Sequence, residues 1–184
     1  LWCILDRVSV GAVSGGCVEK EIIYRASSVF KDSKPKVITY DGRYKLGCEG
    51  ILYVLIEPFF VTNEFITAFS EANSKRTSLK IESRFVKENE AFGNFGSLVT
   101  FENKAQFQFS KIFKSQNKED VALFSQTVQP AFQLIIIGGE HDAVKLSKIA
   151  TTLGWEVTLI TSVKDNKQIT DFPGANAIIG DSPE

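Results

Sequence analysis

Residues Phe132 to Ile160 constrain the fold more than any other stretch of the chain. An apolar run, Leu134 to Ile137, leads through a glycine turn into a segment where Ala143, Leu146, Ala150 and Leu153 recur at helical spacing. Gly154 stops that segment, and Trp155 to Ile160 follows as a second apolar run. Two short apolar strands around one amphipathic helix predict a βαβ unit, whose helix lays that four-residue face on a parallel sheet. Ala175 to Ile179 predicts a third strand.

The first two thirds of the chain have a different texture. Trp2 to Leu5 and Val8 to Val13 are expected to be strands. Val18, Ile22, Ala26 and Val29 predict a helix over Val18 to Phe30. Lys36 to Tyr40 is a short strand before an Asp41-Gly42 turn, and Gly50 to Pro58 is expected as a buried strand. Thr62 or Asn63 caps a helix that runs through Ser74, with Phe65, Ile66 and Phe69 inward. Ser78 to Phe113 reads as strands, clearest in the alternation of Gln106-Phe107-Gln108-Phe109, and the phenylalanines here are core residues. Ser115 to Asp120 is a polar linker. The fold class is therefore α/β: an N-terminal mixed α/β domain over residues 1–120, then a Rossmann-like βαβ domain over residues 121–184 that stops short of a doubly wound sheet.

Charge excludes two classes of partner. With 21 basic and 22 acidic residues the net charge is −1, and no basic stripe marks a nucleic-acid or anionic-membrane surface. The apolar runs are too short to span a bilayer and no signal peptide opens the chain, so a cytoplasmic protein is expected. Three widely spaced cysteines and a single histidine argue against a disulfide framework or an all-protein zinc site. Methionine is absent, and Leu1-Trp2-Cys3-Ile4 reads as mid-strand. Residues are therefore expected to be missing from the sequence, so spacing within a motif outweighs spacing between motifs.

Two cysteines sit in glycine-rich turns beside regular elements: Gly15-Gly16-Cys17-Val18-Glu19 at a helix start, and Gly47-Cys48-Glu49-Gly50 before a strand. Glycines let backbone amides approach a ligand, and a helix start favours both an anion and a thiolate. That chemistry suits a reactive thiol or one beside a soft metal. The alternative is that both cysteines are buried core residues of a plain interaction module, with Glu19 complementing the helix dipole.

Three motifs in order resemble the xanthine dehydrogenase accessory factor family (XdhC/CoxI). Its G-S-[IV]-S-G-G-C-[LV]-E is matched by Gly11 to Glu19 at all but one position. Its G-C-G-G with a strand ending in E-P is matched by Gly47 to Gly50 and Glu57-Pro58, with Glu49 in place of a glycine. The opening of its second domain, P-x-x-x-L-x-I-x-G-A-G-H-D-A-x-x-L, is similar to Pro130 through Leu146. A Gly-, Ser- and Arg-rich loop of the family has no counterpart near Arg7-Val8. The resemblance implies an accessory protein that binds molybdenum cofactor (molybdopterin). Its role would be maturation or insertion of the cofactor into a molybdenum hydroxylase such as xanthine dehydrogenase, with a sulfurase as a further partner and a homodimer as its assembly. Cofactor-binding residues on this reading are Gly15, Gly16, Cys17, Glu19, Gly47, Cys48, Gly50, Gly138, Gly139, His141 and Asp142, with Cys17 nearest the metal. No catalytic residue is implied.

The runner-up is a nucleotide-dependent oxidoreductase built on the βαβ unit. Against NAD or FAD stands Glu140, a carboxylate at the second glycine position of a G-x-G-x-x-G/A turn. Thr161 and Ser162 follow the second strand where a ribose-binding acid belongs. His141 and Asp142 read equally as local helix-start residues. The client enzyme, the site of sulfuration and the oligomeric state are not written in the sequence.

Overall fold

The computed structural model describes residues 3–5, 8–13, 17–43, 50–114 and 121–182, with backbone only for residues 3–5, 8 and 17. The chain is mixed α/β and divides into two compact units, Leu1–Val128 and Gln129–Glu184.

In the first unit β1 (Cys3–Leu5) and β2 (Val8–Val10) form an antiparallel hairpin. The second strand is shorter than expected, since Gly11 turns the chain at φ 90°. Helix α1 (Cys17–Asp32) buries Val18, Ile22, Ala26 and Val29, the face that the sequence periodicity specifies. Ser33, in the left-handed region at φ 53°, ends it. After Pro35 come β3 (Lys36–Asp41) and β4 (Ile51–Ile56), paired antiparallel from Lys36↔Ile56 to Asp41↔Ile51. β4 departs from the expected buried strand: it is the edge of a sheet ordered β4-β3-β6, and only Ile56 is buried. β6 is defined below.

Helix α2 (Asn63–Ser74) starts at Thr62, whose hydroxyl accepts from the Phe65 amide at 3.2 Å. It packs through Phe65, Ala68 and Ala72. Ile66 and Phe69, expected inward, are about half exposed at 51% and 49%. They flank the i, i+3, i+7 stripe that makes the contact. Then follow β5 (Leu79–Phe85), β6 (Ala91–Phe92), β7 (Gly96–Phe101), β8 (Gln106–Gln108) and β9 (Ala122–Val128). β6 pairs with β3, and the others form an antiparallel sheet ordered β8-β7-β5-β9. Its core holds Phe101 and Phe109, with Phe65 and Phe107 in edge-on contact with Phe101 and with each other. The expected linker at 115–120 lies outside the described residues. The division between units falls eight residues later than the expected 120/121 boundary, because β9 pairs with β5 from Phe85↔Ala122 to Leu79↔Val128.

The second unit contains β10 (Gln133–Ile137), α3 (His141–Thr152), β11 (Glu156–Ser162) and β12 (Ala177–Asp181), the strands forming a parallel sheet in sequence order. The βαβ unit is present. Its helix packs differently from the expected Ala143–Leu146–Ala150–Leu153 face: Ala143, Ser147 and Ala150 are buried, while Leu146 and Leu153 are exposed. Small residues at positions 143, 147 and 150 let the helix approach Ile136, Val157 and Leu159 closely.

Candidate functional site

Helix α1, β3 and β4 form one α/β layer. Three residues, Ser33 to Pro35, join the end of α1 to the start of β3. Val18, Ile22, Ala26 and Val29 share a core with Ile38, Tyr40, Val54 and Ile56. The helix therefore runs antiparallel along β3, and its start lies at the end of the sheet where β3 leaves at Asp41 and β4 enters at Ile51. Cys17 is the first residue of α1. Cys48 belongs to the connection whose neck is closed by the Gly42 amide donating to the Gly50 carbonyl at 2.9 Å. Gly15, Gly16, Gly47, Cys48 and the Cys17 side chain lie outside the described residues, so their mutual distances are not part of this geometry.

The described flanks are specific. The Val13 amide donates to Glu19 Oε1 at 3.0 Å, tying the residue before the glycine turn to the first turn of α1. Glu19 thus does more than complement the helix dipole: it draws the two ends of the turn together. At the neck of the second connection, Arg43 donates to both Asp41 oxygens, at 3.0 and 2.7 Å, and holds that carboxyl down at about 2. Gly50 is exposed, and a side chain there would meet nothing within 4 Å.

Glu57, the acid of the E-P motif, is largely buried and lies elsewhere. It follows β4 at Ile56, opposite Lys36, so roughly 20 Å of strand separates it from the Asp41 end. Its Oε2 accepts from the Ser97 amide at 2.9 Å, its Oε1 accepts a short bond from the Ser97 hydroxyl, and Ser97 Oγ lies 2.7 Å from Ser83 Oγ. It fastens the end of β4 to β7. Burial, opposed by the two Ser97 hydrogen bonds, pushes its carboxyl up to about 6. Because the folded value is raised, the protonated form is favoured. The contribution is complete below the unfolded value near 4.5 and is lost as pH rises through 6. A loss of about 2 kcal/mol is expected. Glu57→Gln keeps an acceptor for the Ser97 amide and offers its NH2 to the Ser97 hydroxyl. It should melt like the native protein at pH 4.5 and higher than it at pH 7.5. Thermal melts across that range check this, and an unchanged pH slope in the variant counts against it.

The remaining candidates lie in the second unit. Gly138, at φ 112°, donates its amide to the Ile160 carbonyl at 2.8 Å. Gly139 is buried, and a Cβ there would lie 3.1 Å from Thr161 Cγ2. Glu140 is the exposed N-cap of α3 without a side-chain capping bond, Asp142 accepts from the Ala143 amide at 2.9 Å, and His141 is exposed. This is the geometry of local helix-start residues. Thr161 is buried and Ser162 accepts from the Lys164 amide at 3.2 Å, so the end of β11 offers no acid for a ribose. Among the described residues no group of three or more His, Cys, Asp or Glu side chains is placed to hold a metal, and no helix is long and apolar enough to cross a membrane.

The described residues form a mixed α/β fold in which Cys17 is the first residue of a sixteen-residue helix. A family profile described as the XdhC and CoxI family matches residues 5–41, which span the Cys17 turn, α1 and β3. The chain is 27% identical over 193 residues to a probable xanthine dehydrogenase subunit of Bacillus subtilis (strain 168), an alignment covering 95% of this chain and 57% of that protein. Its fold is similar to the crystal structure of a xanthine dehydrogenase from Bacillus halodurans, with a TM-score of 0.72 and 22% identity over 96% of this chain and 56% of that one. The chain thus spans a little over half the length of these relatives. Over residues 5–41 it matches the XdhC and CoxI family, and the named relatives agree with that match.

Proposed function

We propose that this chain binds molybdenum cofactor at the α1 start and assists its maturation or insertion into a xanthine dehydrogenase-type molybdenum hydroxylase, without catalysing a reaction itself. The observation that carries this reading is the antiparallel packing of α1 on β3. It sets the first residue of the helix, Cys17, at the same end of the layer as the neck of the connection bearing Cys48.

The donor set fits the group. First-turn amides suit its anionic parts, a thiolate suits a soft metal, and Glu19 is engaged with the Val13 amide rather than aimed at an incoming anion. When bound, the cofactor supplies the dithiolene-held molybdenum that the client needs. The chain's own contribution is to hold it at the helix start and keep water away. A nucleotide-dependent oxidoreductase is the weaker reading, since the α3 start carries Glu140 and β11 ends in Thr161 and Ser162. The relatives' names support a link to xanthine dehydrogenase-type enzymes. The test is reconstitution: the protein purified anaerobically from cells making the cofactor should activate a cofactor-free molybdenum hydroxylase severalfold over an equal molar amount of free cofactor. Equal activation by the two would contradict the insertion role.

A further inference from the structure

Strand β9 leaves an open edge on the first unit. It is the outermost strand of the β8-β7-β5-β9 sheet, and among the described residues it pairs only with β5. Its backbone N–H and C=O groups that point away from β5 are strong hydrogen-bonding groups facing outward. Folded proteins blunt such edges with charges, proline, bulges or very short strands. β9 has none of these. Its seven residues include no charged side chain and no proline, and their register with β5 runs unbroken from Phe85↔Ala122 to Leu79↔Val128. The opposite edge of the same sheet, β8, has only three residues. Leu123 to Thr127 are all exposed, on both faces of the sheet, with Leu123 at 52% and Phe124 at 55%. An edge of this kind accepts a further strand.

We infer that β9 pairs antiparallel with the β9 of a second copy of this chain, about a two-fold axis through Phe124, joining two four-stranded sheets into one. The charges of β5 select this partner and this register. Arg84 lies beside Leu123, and Glu82 beside Ser125. An axis through Phe124 sets Leu123 opposite the partner's Ser125, so the Arg84 row of each copy continues into the partner's Glu82 row. Centring the pair on Ser125 would instead align Glu82 with the partner's Glu82 and Arg84 with the partner's Lys80, like charge with like. Centring it on Gln126 would bring Pro130 opposite Ala122, where a proline cannot extend the ladder. The Phe124 axis also covers the exposed apolar side chains of the strand, with the two Phe124 rings meeting at the centre. The same edge serves on both copies, so the assembly closes as a dimer. The pairing does not depend on cofactor binding.

Sedimentation velocity at rising concentrations should show the native chain passing from monomer to dimer. Phe124→Lys sets two ammonium groups opposite each other on the axis and should weaken association at least about tenfold. Ile149→Lys, at a comparably exposed position on α3, should leave it unchanged. Cross-linking reads the register. Directly opposed residues have Cβ atoms about 4.5–5.5 Å apart, so Phe124→Cys should link two chains through dibromobimane. In Gln126→Cys the two thiols lie four residues apart along the strands, about 13 Å, and should not link. The native chain, with its three cysteines, is the blank. A native chain that stays monomeric into the high-micromolar range, a dimer that Phe124→Lys leaves intact, or linkage at position 126 equal to that at 124 would each overturn the inference. Cross-linking is a gain of signal, so a Phe124→Lys chain that failed to fold would leave the pairing open to refutation.

Discussion

Gly96→Ala is expected to lower the stability of the first unit by about 1–3 kcal/mol, the range for forcing a methyl group into a packed core. Gly96 opens β7 opposite Arg84. A Cβ on it would lie 2.6 Å from Phe113 Cγ and 2.8 Å from Phe113 Cβ. Those atoms are close to the Phe113 backbone, so the ring cannot simply rotate away, and Phe113 is itself buried at 2% exposure. The displacement also reaches Ser97, the residue that holds Glu57. The melting temperature should fall by roughly 3–10 °C. Gly50→Ala is the matched control, because nothing lies within 4 Å of a side chain there, and it should stay within about 0.5 kcal/mol of the native protein. Indistinguishable melting curves for Gly96→Ala and Gly50→Ala would contradict the packing described for β7.

Much of this architecture is legible in the sequence where the signal is local. The α1 stripe of Val18, Ile22, Ala26 and Val29 and the β10–α3–β11 succession follow from periodicity and from Gly154, and each is present. The readings that fail depend on partners far along the chain. β9 looks like the start of the second unit until it is seen to pair with β5, some forty residues earlier. Nothing local marks the burial of Glu57, because its partner, Ser97, is 40 positions away. On α3 the leucines outweigh Ser147 in any hydropathy reading, yet close approach to the sheet selects the small residue. The cysteine turns are legible as motifs. That the first residue of α1 and the Gly42–Gly50 neck share one end of the layer follows only from the short Ser33–Pro35 connection combined with the shared core.

Cys17→Ala is expected to have the largest functional effect, a drop of at least about fivefold in bound molybdenum with an unchanged fold. The residue opens a sixteen-residue helix that packs along its whole length, so its own contribution to the core is not what forms the helix. The helix start lowers the thiol's ionisation cost and favours the thiolate that a soft metal needs. Alanine keeps helix propensity and removes only the sulfur. Cys48→Ala should lower loading less, because its turn precedes a strand and has no helix dipole behind it. Both variants should melt within a few degrees of the native protein.

The most direct test of the carrier assignment is molybdenum and pterin measured in the same anaerobic preparation, for the native chain and for Cys17→Ala. The expected result is that the two analytes co-purify with the native chain in a constant ratio and fall together in the variant. Native preparations free of both, or a Cys17→Ala protein that retains native amounts of each, would contradict it.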